Sequence, residues 1–320
     1  MKMNLKTKYV KFASSKDGYS RALVELGNRS EKIIVLSADL KNLTGCADFA
    51  EEFPERFIQV GSGEQNMAGL ASGISMQGYI PFISSFATLS PGKNWDQIRS
   101  SICFPKLNVK IISSNAGLSA GHDGAIYQAL EDIAIARVLP NMTVIAPADA
   151  IETEKAIILS AQIDGPVYIR FSSNKSQVFT KDSNFEINKA NILNKGRDVA
   201  IIGCGPILYE ALLSAKELLR KYKISAEVIN CHTIKPLDIK TICSSAKKTG
   251  AVVCIEEHQV YGGLGSAISE LLSERCSVPM GFIGMPDSFG ESGESEELMK
   301  KYGITKEKII SSVLDVIKKK

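Results

Sequence analysis

The sequence has almost no charge imbalance: 38 Lys and Arg against 35 Asp and Glu leave a formal net charge of +3. A chain so close to neutral lacks the sustained positive field that holds nucleic acid or an acidic membrane surface, and neither is expected as a partner. Paired cysteines are missing too. The seven, at 46, 103, 204, 231, 243, 254 and 276, are odd in number, form no CxxC pair and in places sit inside apolar runs such as 252–255. That pattern speaks against a disulfide framework or a thiolate metal site and fits small buried hydrophobes in a reducing compartment. No apolar run approaches a membrane span, and the first twelve residues hold no stretch long enough for a signal peptide; the expected location is cytoplasmic. Histidine is scarce, and His232 and His258 have no partners at metal-ligand spacing, so no metal site is expected on this chain. Gly203-Cys204-Gly205 follows an apolar run but lacks the third glycine of a dinucleotide fingerprint. The glycines of 262–265 read as a tight helix entrance rather than a phosphate cradle.

What is present is an ordinary globular composition, 44 % hydrophobic and 23 % charged, over 320 residues, enough for two domains. The runs 32–38, 80–83, 109–113, 143–145 and 167–171 are almost continuously apolar. Segments of helical period at 16–26, 94–102, 125–136 and 148–160 separate them. Continuous apolar strands alternating with helices predict a parallel sheet covered on both faces. Residues 172–194 turn polar without a long periodic segment. A second such unit follows, with strands at 199–203, 226–229, 251–256 and 278–283 and helices at 207–222, 239–248, 266–274 and 306–317. The expected fold class is α/β, two doubly wound domains: 1–175, a linker over 176–194, and a smaller domain over 195–320. Asp39, Ser85, Ser114 and Ser172 follow strand ends, where open α/β sheets bind ligands.

The chain is organised around GSGEQNMAGLASGIS, residues 61–75. After the extended run 57–60, Met67, Leu70, Ala71 and Ile74 recur at helical spacing, which puts Glu64 in the first turn of a helix. Gly69 and Gly73 leave one strip of that helix without side chains, so another backbone can come close. On spacing alone, a glutamate there is a favourable charge beside the helix dipole.

A set of motifs in fixed order carries more. Glu64-Gln65-Asn66-Met67 resembles the EQNM of transketolases, Ser37-Ala38-Asp39-Leu40 their SADL, and Thr233 to Asp238 their TIKPLD. Trp95-Asp96-Gln97-Ile98-Arg99 is similar to their YDQIR, and Gly121-His122-Asp123-Gly124 through Asp132, then Leu139-Pro140-Asn141-Met142, to the stretch that closes their pyrimidine-binding domain. The resemblance implies a thiamine diphosphate pyrimidine-binding domain followed by a transketolase C-terminal domain, the latter serving packing and dimerisation. It implies that Glu64 meets N1' of the cofactor's pyrimidine: a carboxyl shielded from water can share a proton with that ring nitrogen and favour the tautomer that activates the thiazolium carbon. Phe86, with Leu89 and Trp95 on the same segment, is the implied cofactor wall, although a phenylalanine after a strand also suits a core. The family's GDG motif for the diphosphate and its Mg²⁺ or Ca²⁺ is absent. With no room for such a domain before residue 16, the resemblance implies a split enzyme. An N-terminal transketolase-like chain would supply the diphosphate and metal ligands in an α2β2 heterotetramer.

Several positions depart from the family pattern. Where GEDGxTHQ is usual, the chain reads Gly121-His122-Asp123-Gly124-Ala125-Ile126-Tyr127-Gln128. Asp123 is implied to bind a sugar hydroxyl, with a plain loop turn as the alternative. Tyr127 stands for the usual His, and a phenol is a poor proton shuttle at neutral pH, so His122 and Tyr127 together are expected to replace that group. Lys16, Asn115 and Ser173 stand where the family grips a sugar phosphate with Arg, His and Arg, and Asp39 begins a shortened turn beside them. Losing two planar guanidiniums removes bidentate anion recognition and points to a non-standard sugar, one that is unphosphorylated, branched or carries a different anion. The expected function is two-carbon ketol transfer from a ketose to an aldose, on sugars or sugar phosphates. A 2-oxo acid dehydrogenase β chain, a deoxyxylulose-phosphate synthase relative and a non-catalytic interaction subunit are the alternatives.

Overall fold

The structure is a computed structural model that describes residues 11–320; most of the N-terminal lead read for a leader lies outside them. Strand β1 (Phe12–Ser14) runs straight into α1 (Ser15–Arg29), whose first turn is capped by the Ser14 hydroxyl accepting from the Lys16 N–H. Then come β2 (Ile33–Ser37), α2 (Lys41–Thr44), α3 (Ala47–Glu52), β3 (Phe57–Gln59), α4 (Glu64–Met76) and β4 (Ile80–Phe86). Helix α5 (Trp95–Gln97) passes into a π-helical turn over Ile98–Cys103, followed by β5 (Lys110–Ser114), α6 (Asp132–Arg137), β6 (Thr143–Ile145), α7 (Ala150–Ser160), β7 (Val167–Arg170) and β8 (Lys175–Gln177). The remainder is β9 (Asn191–Asn194), β10 (Val199–Gly203), α8 (Leu208–Glu217), β11 (Ala226–Asn230), β12 (Thr233–Lys235), α9 (Ile239–Thr249), β13 (Val252–Gln259), α10 (Leu264–Arg275), β14 (Met280–Met285), α11 (Ser295–Lys301) and α12 (Lys306–Ile317).

The first sheet has the order β12-β6-β7-β5-β4-β2-β3 and is parallel except for β12. The second has the order β14-β13-β10-β11-β9, parallel except for β9. The apolar runs are buried on both faces because helices cover both sides, as a parallel sheet requires. The two sheets are stitched together. Strand β12 leaves the second unit to pair with the edge of the first, Thr233 opposite Ile145 and Lys235 opposite Val144. One apolar cluster runs from Leu36, Ile83 and Tyr168 through Ala200, Ile202 and Cys254 to Leu264, joining both units in a shared core. Among the described residues no helix is long and apolar enough to cross a membrane.

Two stretches differ from their local pattern. The expected linker, 176–194, carries short strands. Strand β8 pairs antiparallel with β1, β9 forms the edge of the second sheet, and the Phe179 and Thr180 N–H groups donate to the Asp149 carboxylate at 2.7 and 2.8 Å. Asp149 also caps α7, so one buried carboxylate fixes both segments. No single helix runs over 125–136. Gly124, at φ 80 and ψ −176, breaks the chain, and the Gln128 amide is pulled to the Gly121 and Glu291 carbonyls. Only one 3₁₀ turn forms over Ala125–Tyr127 before α6 begins at Asp132.

Candidate active site

A cavity of about 640 Å³ lies where the carboxyl ends of β2, β4 and β5 meet the start of α4, the place where open parallel sheets bind ligands. Its lining includes Asp39, Glu64, Phe86, Leu89, Lys93, Asn115, Asp123 and Tyr127. Seven residues predicted from the sequence, spread from Asp39 to Tyr127, thus face one space.

Gly61, at φ 71, turns the chain from β3 into α4 in a backbone region that strains other residues. Glu64 follows in the first helical turn and is 2 % exposed. A carboxylate that deep requires hydrogen-bond partners. The Ser85 hydroxyl donates to Oε1 at 3.2 Å and the Lys93 ammonium to Oε2 at 2.9 Å. Lys93 is brought there by the turn between β4 and α5. Asn94, fully buried, donates from its amide to the Glu64 carbonyl and the Ser90 hydroxyl, both at 3.2 Å, and the Ser113 hydroxyl donates to the Ser90 carbonyl. The turn is therefore tied to the helix that carries Glu64, and its lysine lies over the carboxylate.

Opposite, Phe86 and Tyr127 meet edge to face, with centroids 6.1 Å apart and planes at 88°, a favourable quadrupole arrangement. Asp39 and Asn115 end β2 and β5 with left-handed backbones, φ 65 and 54. Non-glycine residues held this way concentrate at ligand sites. Gln59 fixes Asp39 from both sides, its amide donating to Oδ1 at 3.0 Å and its carbonyl oxygen accepting from the Asp39 N–H at 3.2 Å.

The other four predicted residues do not line the cavity. Trp95 packs against the core, and its indole N–H donates to the Ile135 carbonyl at 2.8 Å, so it braces the turn from behind. His122 points outward and pairs with Glu294 at 2.9 Å, both about 70 % exposed. The Lys16 stem runs past Gly45. Ser173 accepts from the Ser14 hydroxyl through its carbonyl. Lys93 and Ser85 join the predicted residues at the site, and position is their signal in the sequence: Ser85 stands at a strand end and Lys93 in a Pro-Gly turn two residues before Trp95.

The second domain holds the loop that carries Asp123 and Tyr127. Glu257 Oε1 accepts from the Ser119 N–H at 2.9 Å, Gln128 donates to the Glu291 carbonyl at 2.7 Å, and Ser292 donates to the His122 carbonyl at 2.8 Å. Beneath it, Arg170 pairs with buried Asp132 at 3.0 Å and donates to the Glu257 carbonyl, and the Tyr168 hydroxyl donates to Asp132 at 2.6 Å. Burial pushes the Glu257 carboxyl up to about 7 against the pull of Arg170. His258 is buried, one ring nitrogen on the Gln259 carbonyl, and His232 stacks on Phe185 with centroids 4.2 Å apart.

Residues 13–177 match the family model for the transketolase pyrimidine binding domain, and residues 188–309 that for the transketolase C-terminal domain. The chain belongs to the transketolase family. A putative transketolase C-terminal section of Methanocaldococcus jannaschii is 42 % identical over 96 % of this transketolase-family chain and 98 % of its own length. A 6-deoxy-6-sulfo-D-fructose transketolase subunit of Clostridium sp. strain MSTE9 is 38 % identical over 95 % of each. The solved structure of a split-gene transketolase, an inactive β4 tetramer, superposes with a TM-score of 0.88 at 44 % identity, covering 95 % of this chain and 98 % of that one. The chain spans about half the length of the single-chain transketolases it also matches.

Proposed function

We propose that this chain is the pyrimidine-side subunit of a two-chain transketolase, transferring a two-carbon ketol unit from a ketose to an aldose with thiamine diphosphate. The observation that carries the reading is Glu64, buried at the floor of the cavity opposite an aromatic wall. A carboxyl and an aromatic face are what a heteroaromatic ring with a basic nitrogen needs. Glu64 would hold the ring nitrogen, with Phe86 and Leu89 against the ring. When bound, the cofactor supplies the electron sink for cleaving a bond beside a ketose carbonyl. Asp123, Asn115 and Asp39 would orient substrate hydroxyls, and Tyr127 would donate a hydrogen bond near the reacting end.

Among the described residues no group of three His, Cys, Asp or Glu side chains lies close enough to hold a metal ion. The diphosphate and its Mg²⁺ or Ca²⁺ are assigned to a second chain carrying the GDG motif, in an α2β2 assembly. Relatives of near-equal length that are named as a C-terminal section and as a subunit support that division. We place the enzyme in the cytoplasm. The cavity sets three carboxyl groups, Asp39, Glu64 and Asp123, against one ammonium, Lys93, which Glu64 already binds. Such a lining repels a phosphate, so the sugar tail is assigned as unphosphorylated.

The test is reconstitution with the GDG-bearing chain and a screen of ketose donors with and without a terminal phosphate. Ketol transfer from unphosphorylated donors is expected. Normal kinetics with xylulose 5-phosphate and ribose 5-phosphate would overturn the tail assignment, and decarboxylation of pyruvate by the mixture would overturn the ketol-transfer reading itself.

A further inference from the structure

Glu64 has no free oxygen: Ser85 holds Oε1 and Lys93 holds Oε2. The two partners differ in kind. Ser85 lies on β4 and is fully buried, whereas Lys93 is a long side chain, 48 % exposed, reaching in from a turn. Among the described residues that line the cavity it is the one cationic side chain. A carboxylate 2 % exposed and left without a counter-charge is costly, so the empty chain gains from a cation there. A cofactor ring nitrogen that takes Oε2 from the cavity side, where Lys93 lies, displaces it.

We infer that Lys93 is a latch on Glu64: it neutralises the carboxylate while the site is empty and vacates Oε2 when the cofactor enters. The inference rests on the reading of Glu64 given above. Its consequence runs against simple electrostatics. Removing a cation beside a site for a diphosphate-bearing ligand weakens binding by the Coulomb term, but removing a latch tightens it, because the ion pair no longer has to be broken. Half-exposed ion pairs of this kind contribute up to about 1 kcal/mol, which converts to a gain in affinity of about two- to fivefold.

The experiment is a thiamine diphosphate titration of the reconstituted two-chain complex, followed by calorimetry, comparing wild type with Lys93→Met and Lys93→Arg. Lys93→Met is expected to bind about two- to fivefold more tightly, and Lys93→Arg, which keeps a cation at the same reach, within about twofold of wild type. Equal or weaker binding by Lys93→Met overturns the latch while leaving the cofactor reading intact, and a wild-type complex that binds no cofactor overturns both. A second readout needs neither cofactor nor partner. In thermal unfolding of the full chain alone, the midpoint shifts of Lys93→Met, Glu64→Gln and the double variant are expected to be non-additive, the double variant losing less than the sum. Additive shifts overturn the pair, and with it the latch.

Discussion

Replacing Arg170 with methionine probes the joint between the two domains. Arg170 is 5 % exposed at the end of β7; its Nε pairs with Asp132 Oδ2 at 3.0 Å and its two terminal nitrogens donate to the Glu257 carbonyl at 3.2 Å. Methionine fills much of the volume but leaves Asp132, 1 % exposed, with the Tyr168 hydroxyl as its remaining close partner. Breaking a buried pair from one side costs roughly 3–5 kcal/mol because a charge is stranded in low dielectric. The fall in unfolding free energy, measured from the urea midpoint with the slope held common, should lie in that range. Adding Asp132→Asn removes the stranded charge while still accepting from Tyr168, so the double variant should regain at least about half of the loss. A single variant that loses less than about 1 kcal/mol, or a double variant as unstable as the single, would refute the argument.

Two further predictions concern pH and the loop. Burial pushes the carboxyls of Glu152 and Glu257 up to about 7 and the Lys110 ammonium down to about 7. Between about pH 4.5 and 7 the folded chain holds protons on those carboxyls that the unfolded chain releases, so they lose their stabilising contribution as pH rises, about 3 kcal/mol each. Above 7 the folded chain has already released the Lys110 proton that the unfolded chain keeps, so stability rises again. A melting curve with its minimum near pH 7, made shallower on the acid side by Glu257→Gln, is expected; a monotonic curve refutes the assignment. At Gly290 a Cβ would lie 1.7 Å from the Gln128 amide oxygen. Gly290→Ala should therefore shift the 117–128 loop and lower kcat/KM of the reconstituted enzyme by about tenfold to a hundredfold while cofactor affinity is unchanged, whereas full activity would show that the second domain does not position the loop.

The apolar runs made most of the fold legible. Strands at 143–145 and 199–203 need nothing beyond local hydrophobicity, and they form at those bounds. Where local pattern failed, long-range bonding decided. Residues 125–136 have a helical period, but the ties of Gln128 to Gly121 and Glu291 override it. Residues 175–177 and 191–194 are too polar to read as strands and form because a partner edge is offered to each. The motifs led to Glu64 at a helix start, Phe86 at a strand end and Asp123 at the end of a 3₁₀ turn in the 117–128 loop. His122 lies outside the cavity although its neighbour in sequence lines it, because its own partner, Glu294, lies 172 positions away. Lys93 was missed for a similar reason, since its pairing with Glu64 depends on how the Asn94 side chain folds the turn back onto α4.

The most direct test of the account is a thiamine diphosphate titration carried out on the chain alone, on its mixture with the GDG-bearing chain, and on the same mixture with Glu64→Ala. Saturable binding is expected only in the two mixtures, and the substitution weakens it at least about tenfold, as the loss of a hydrogen bond to a charged group implies. Binding that survives undiminished without the Glu64 carboxyl, or no binding by the wild-type mixture, would contradict it.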